Sequence, residues 1–139
     1  MEQDDFSLCV LDNARKAARA VSRHYDRLAR QAGLTAGQFS VLVAIHRGAG
    51  ETTGTLADRL SMERTTLVRN VALLERKGLV TSGTSGGGRG KRYVLSADGS
   101  RLLGNAVPLW RQAQGDVRRL LGDDEFLKTI NALKRLSEL

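Results

Sequence analysis

At 139 residues the chain has room for one domain and not two, and a domain near this size buries roughly 70% of its unfolded surface, enough for a core without disulfides or a structural metal. Its 22 Lys and Arg against 15 Asp and Glu leave a net charge of +7, while 41% apolar residues is too many for a disordered basic tail. One cysteine excludes an intrachain disulfide, and the surplus charge points to a polyanion, either nucleic acid or an acidic membrane surface.

The acidic opening Met1-Glu2-Gln3-Asp4-Asp5 is followed by no apolar run of signal-peptide length. The longest aliphatic stretch, Val41-Leu42-Val43-Ala44-Ile45, is far short of the roughly 20 apolar residues that span a bilayer. A cytoplasmic protein with no membrane partner is expected.

Over residues 8–31 the apolar positions Leu8, Leu11, Ala14, Ala18, Val21, Tyr25 and Leu28 recur at helical spacing, with a row of arginines opposite. Gly33 is a stop. Thr35 then stands as N-cap before Phe39, Leu42, Val43 and Ile45, a shorter helix ending near Gly48, and Gly48-Ala49-Gly50 is a turn. Thr52 or Thr53 caps a short helix with Leu56, Ala57 and Leu60. Ser61 caps a longer one running to about Lys77, with Leu67, Val71 and Leu74 inward. Gly78 ends it.

A strand follows at Leu79-Val80-Thr81, then nine residues, 82–90, of which five are Gly, then the β-prone Tyr93-Val94-Leu95: a hairpin with a flexible tip. Ser96 caps a long helix carrying Leu102, Leu103, Val107, Trp110, Val117 and Leu120. Pro108 in its interior removes a backbone donor, so a kink is expected there, eased by Gly104. Gly122-Asp123-Asp124 opens a last helix with Phe126, Leu127, Ile130, Leu133 and Leu136 apolar. The expected fold class is mainly α with a small β-hairpin wing: a winged helix-turn-helix.

With Leu67, Val71 and Leu74 buried, the opposite stripe of the 61–77 helix presents Arg64, Thr65, Val68, Arg69 and Ala72. Such side chains suit a major groove, where Arg bonds guanine bidentately and Thr meets thymine's methyl, while a helix N-terminus at Ser61 would take a phosphate. Residues 61–92 hold seven cations (Arg64, Arg69, Arg76, Lys77, Arg89, Lys91, Arg92) and only two anions (Glu63, Glu75), so most of the surplus charge sits there. Any one of these cations can equally be a solvated surface charge; helix order, hairpin and charge together favour DNA. Expected base readers are Arg64, Thr65, Thr66 and Arg69, and expected phosphate contacts are Lys77, Lys91 and Arg92.

Four segments, Leu34-Thr35-Ala36-Gly37-Gln38-Phe39, Thr55-Leu56-Ala57-Asp58-Arg59-Leu60, Leu73-Leu74-Glu75-Arg76-Lys77-Gly78-Leu79-Val80 and Leu95-Ser96-Ala97-Asp98-Gly99, resemble in order and separation the signatures of the MarR family of transcriptional regulators. The resemblance runs from about Leu8 to Leu136. It implies a homodimer, with helices at about 6–32 and 97–138 forming the dimer interface and a winged helix-turn-helix at about 35–96, repressing transcription from a palindromic double-stranded operator until a small-molecule effector or an oxidant releases it. It implies that Arg89 is the wing-tip arginine that enters the minor groove. Gly87 stands where the family commonly has an Asp that braces the wing, and Ser82 where a cation is common, so a wing that orders on DNA is expected.

The resemblance further implies an effector cleft, for which Tyr25, His24, His46, Trp110 and Arg111 are candidates, though Tyr25 and Trp110 also suit core or interface packing. It links Cys9 to the cysteine of the family's organic hydroperoxide sensors, about two residues from the sensor position; a small apolar packing role is the competing reading.

Catalysis has no visible machinery. Gly86-Gly87-Gly88-Arg89-Gly90-Lys91 departs from the phosphate-binding loop, which requires Gly at 85 and Ser or Thr at 92. Cys9 and His24 are about 22 Å apart along one helix at 1.5 Å per residue. Two His and one Cys make no tetrahedral metal site in one chain. No cofactor, no metal and no enzymatic activity are expected; the alternative function is a winged-helix module for nucleic acid or protein without a regulatory ligand.

Overall fold

The computed structural model describes residues 1–83 and 90–139. A 3-10 turn at Phe6–Leu8 leads into α1 (Val10–Ala29) and a second 3-10 turn at Arg30–Ala32. Then come α2 (Ala36–Arg47), α3 (Thr53–Arg59), α4 (Arg64–Arg76), an antiparallel hairpin of β1 (Val80–Gly83) and β2 (Arg92–Leu95), α5 (Ala97–Leu121) and α6 (Asp123–Leu136). No described helix is long and apolar enough to cross a membrane.

Most boundaries follow local chemistry visible in the sequence. Thr35 caps α2 through a complete capping box, its hydroxyl accepting from Gln38 N–H while the Gln38 side chain accepts from Thr35 N–H. Thr52 caps α3, Ser96 caps α5, and Gly33 closes the end of the α1 segment in the left-handed region at φ 81°.

One boundary needs correction. Ser61 does not cap α4: it sits at φ 49° in the turn, and the cap position belongs to Glu63, whose side chain makes no capping bond. The reason is that α3 closes with Ser61 N–H and Met62 N–H bonded back to Asp58 and Ala57, which uses up residues 60–62 in the turn. Pro108 lies inside α5, which runs as one helix from Ala97 to Leu121; Gly104, four residues earlier, is exposed and has no side chain to crowd the proline ring.

A core of Leu34, Val41, Leu42, Ile45, Leu56, Leu67, Val71, Leu74, Val80 and Tyr93 knits α2, α3, α4 and the hairpin together, and Leu103 and Ala106 bring in α5. Leu67, Val71 and Leu74 are fully buried. The α1 helix attaches to α2 through Asp26, whose carboxylate accepts from Ala36 N–H at 2.9 Å and from Arg30 Nε at 2.7 Å. At the far end α6 folds back on α5, with Phe126 buried beneath the Arg118 guanidinium, 4.4 Å from its ring centre.

Gly99 lies where α5 crosses the start of the wing; a Cβ there would overlap the Leu79 carbonyl oxygen and come within 2.9 Å of its carbon. Alanine normally stabilises a helix interior over glycine by roughly 0.5–1 kcal/mol. Here Gly99→Ala is expected to lose about 1–3 kcal/mol in urea denaturation, because backbone must move to admit the methyl. Asp26 makes a second prediction. The Ala36 N–H, then Arg30, hold its carboxyl below the ordinary 3.8, so its stabilisation is complete above about pH 3.8 and is lost as pH falls through the lower folded-state value. Asp26→Asn should therefore lose less stability on acidification than the parent, read from denaturation midpoints between neutral and acid pH; parallel profiles would refute the assignment.

Candidate DNA interface and effector cavity

Burial of Leu67, Val71 and Leu74 sets the rotation of α4 and turns Thr65, Thr66 and Arg69 to solvent. Among the described residues, neither Arg64, Arg69, Lys77 nor Lys91 has a side-chain hydrogen bond or ion pair, and all four are exposed. The first-turn amides of α4 likewise have no capping side chain. An arginine and threonine stripe left unpartnered on a rigid helix is equipped to bond base edges and phosphates.

Arg92 is placed differently from its expected role as a phosphate contact. It is half-buried, with Nη1 donating to the Gly50 carbonyl at 2.8 Å and Nε enclosed without a partner. Gly50 N–H in turn donates to the Tyr93 carbonyl at 3.0 Å, and Thr52 bridges to Arg92 as a third, one-residue strand. Arg92 ties the wing to the α2–α3 turn. Ser82, in the position where a cation is common, donates from its hydroxyl to Glu75 at 3.0 Å and so holds β1 to α4. Arg89 and Gly87, and with them the expectations for the wing tip, lie outside the described residues.

The five residues assigned to one effector cleft do not share one. Tyr25 and Trp110 line a cavity of about 270 Å³ between α1, α2 and α5, together with Phe39, Ala106, Ala113 and Gln114. His46 faces a second recess of about 440 Å³ on the other side of Trp110. His24 lines a shallow one near the end of α5, and Arg111 lines none of these. Gln114 was not foreseen, although it lies four residues beyond Trp110 and hence on the same helix face.

The cavity's polar end is built by α1 and α5. The Tyr25 hydroxyl donates to Gln114 Oε1; burial, then the nearby Asp116 charge, push its pKa up and keep the phenol neutral. His24 Nδ1 lies 3.0 Å from Arg27 Nη2, and its Nε2 lies 2.8 Å from Asp116 Oδ2. Because a guanidinium only donates, Nδ1 accepts and the neutral ring's Nε2–H donates to Asp116. That bond, with help from Arg119, holds the Asp116 carboxyl below the usual carboxylate range. His24 thus serves as a link between α1 and α5.

Cys9 is half-buried in the cap position of α1, between the first 3-10 turn and the helix. No group of three or more His, Cys, Asp or Glu among the described residues is arranged to hold a metal.

Comparison with known proteins places this geometry. A model of the MarR family matches residues 32–90. The Mycobacterium tuberculosis transcriptional regulator MosR, in complex with DNA, is 38% identical, with 94% of each chain covered and a TM-score of 0.84. A further MosR structure is 39% identical over 96% of this chain and 98% of that one, with a TM-score of 0.81. The PcaV regulator from Streptomyces coelicolor, bound to its natural ligand, shares the fold at 21% identity, with 99% and 98% of the two chains covered and a TM-score of 0.87. No protein of curated function matches. With its mostly helical architecture, antiparallel hairpin wing and these relatives, the chain belongs to the MarR family of winged-helix transcriptional regulators.

Proposed function

We propose that this chain is a cytoplasmic repressor that acts as a homodimer on a pseudo-palindromic operator and is released by a small effector. The observation that carries the DNA reading is the outward stripe of α4, whose Thr65 and Arg69 are exposed and unpartnered beside the basic base of the wing. Thr65, Thr66 and Arg69 read bases, and Lys77 contacts phosphate. The related MosR is itself a regulator solved with DNA.

Pairing of two copies is supported by apolar surface at both ends of the chain. Phe6, Leu8, Val10 and Leu11 at the start, and Leu120, Leu127, Leu133 and Leu136 at the end, are exposed, with Leu8 at 75% and Leu120 at 83%. Monomers rarely leave so much aliphatic surface open. A two-fold dimer built on residues 6–32 and 97–138 covers it and presents two copies of the 35–96 unit to DNA. Effector response is supported by the cavity between α1, α2 and α5, apolar around Phe39 and Trp110 with one neutral polar end at Tyr25 and Gln114. A thiol-based oxidant response would have to use Cys9, the only thiol in the chain, and Cys9→Ser would then abolish release of DNA by peroxide.

Selection of duplexes from a randomised pool with the purified protein tests the DNA reading. The enriched site is expected to be a pseudo-palindrome with half-site centres about 10–10.5 bp apart. Arg69→Ala should cost about 1–3 kcal/mol on that site and relax preference at one base position in each half-site. Scrambled duplexes bound as tightly as the selected one would leave only a non-regulatory nucleic-acid module. For the dimer, Leu133→Asp is expected to give a folded monomer by light scattering, with weakened operator binding; an unchanged mass would remove α6 from the interface.

A further inference from the structure

Arg64 opens α4 and Lys91 precedes β2, yet both line one cleft of about 590 Å³, bounded also by Thr53, Gly54, Val68 and Tyr93. No carboxylate among the described residues lines it. Arg59 is engaged with Glu51, and Arg92 with the Gly50 carbonyl. Arg64 and Lys91, by contrast, are exposed and have no side-chain partner among the described residues.

Arg64 does not project alongside Arg69. Its guanidinium lies back across α3 against Gly54: a Cβ at position 54 would stand 2.5 Å from Nη2 and 3.4 Å from Cζ. The adjacent Thr53 hydroxyl donates to the buried Tyr93 hydroxyl at 3.3 Å, so this part of α3 is tied to β2 and the cleft wall is fixed. Two unpaired cations from two elements, converging on an open cleft without a carboxylate, suit one singly charged anion with two exposed oxygens. The planar guanidinium can bond two oxygens at once, and the ammonium supplies a point charge.

We propose that Arg64 and Lys91 clamp one backbone phosphodiester of duplex DNA, and that Gly54 is the positioning residue that leaves Arg64 room to do so. The proposal rests on the DNA-binding function proposed above, and it moves Arg64 from the base readers, where the sequence places it, to the backbone contacts. A clamp on the phosphate carries no sequence information; it fixes the depth and tilt of α4 in the groove.

The test compares the full-length protein with Arg64→Ala, Lys91→Ala, Arg64→Lys, Gly54→Ala and the Gly54→Ala/Arg64→Ala double variant, on the duplex selected from a randomised pool and on a scrambled duplex. Affinity is measured across roughly 50–200 mM salt. Arg64→Ala and Lys91→Ala should weaken both duplexes by the same factor and each lower the salt slope by about one, while reselection returns the parent's base preferences. Arg64→Lys should keep the slope. Gly54→Ala should lose affinity as Arg64→Ala does, and lose nothing further in the double variant. Its melting temperature should be unchanged, since the group it displaces is the end of a flexible side chain.

An Arg64→Ala variant that relaxes preference at one base position with its salt slope intact would make Arg64 a base reader and overturn the clamp. Gly54→Ala binding as the parent does, where Arg64→Ala is impaired, would overturn the positioning role alone. Should Gly54→Ala fail to fold, the Arg64 and Lys91 variants still decide the clamp. A parent protein with no preference for the selected duplex would overturn the proposed operator recognition itself, whatever the variants do.

Discussion

The structure depends on one stripe of contact, the burial of Leu67, Val71 and Leu74 of α4 against α2, α3 and the hairpin. Fully burying a Leu or Val side chain contributes about 1.5–3 kcal/mol, and three of them at helical spacing define the rotation of α4 about its axis. A turn of one residue position, about 100° in a helix of 3.6 residues per turn, would carry leucines to water and either Thr66 and Asn70 or Glu75 into the core. The same spacing therefore supplies the cohesion of the lobe and the outward aim of Thr65 and Arg69. No charged side chain is buried in this core among the described residues, so nothing ionic competes with the apolar contacts.

The wing is held at its base by hydrogen bonds that close around glycines and serines. Gly50 donates to Tyr93 and accepts from Arg92, Ser82 reaches Glu75, Ser96 Oγ donates to the Gly78 carbonyl, and Ser96 N–H donates to the Leu79 carbonyl. Each such bond contributes only about 0.5–1.5 kcal/mol net. Their significance is positional, because they connect the α2–α3 turn, the end of α4, both strands and the start of α5 in one closed circuit. The close crossing at Gly99 belongs to that circuit, as only a residue without a side chain lets α5 start directly over the Leu79 backbone. The hairpin, α4 and α5 are consequently one unit at their junction.

The helices were legible in the sequence because their signals are local. Thr35, Thr52 and Ser96 announce their helices by capping chemistry, and the 67, 71, 74 spacing announces the inner face of α4. Ser61 misled because the residue type favours a cap, while the actual start of α4 depends on how the preceding turn closes. Arg92 misled for a different reason: a cation in a basic segment reads as a DNA contact, and only the tertiary fold brings the Gly50 carbonyl to its guanidinium. The residues expected to form one effector cleft lie apart for the same reason, since helical spacing says which residues share a face but not which face meets which neighbour. Gly54 had no visible role in the sequence, because its neighbour Arg64 is ten positions away on another helix.

The α2 helix joins the cavity to α4. Phe39 and Ser40 face the cavity and the recesses around Trp110, while Val41, Leu42 and Ile45 on the same helix lie in the core that holds Leu67, Val71 and Leu74. Close-packed interiors transmit displacement because they have no free volume to absorb it. A molecule that only filled existing space beside Tyr25 would leave α2 where it is and α4 with it. One that pushed Phe39 would move α2 as a body, and the buried contacts would carry α4 along, changing its aim relative to the other copy in a dimer. A ligand that shifts an equilibrium must bind the two states differently, so the distinction between filling the cavity and displacing Phe39 is the distinction between a silent ligand and an effector.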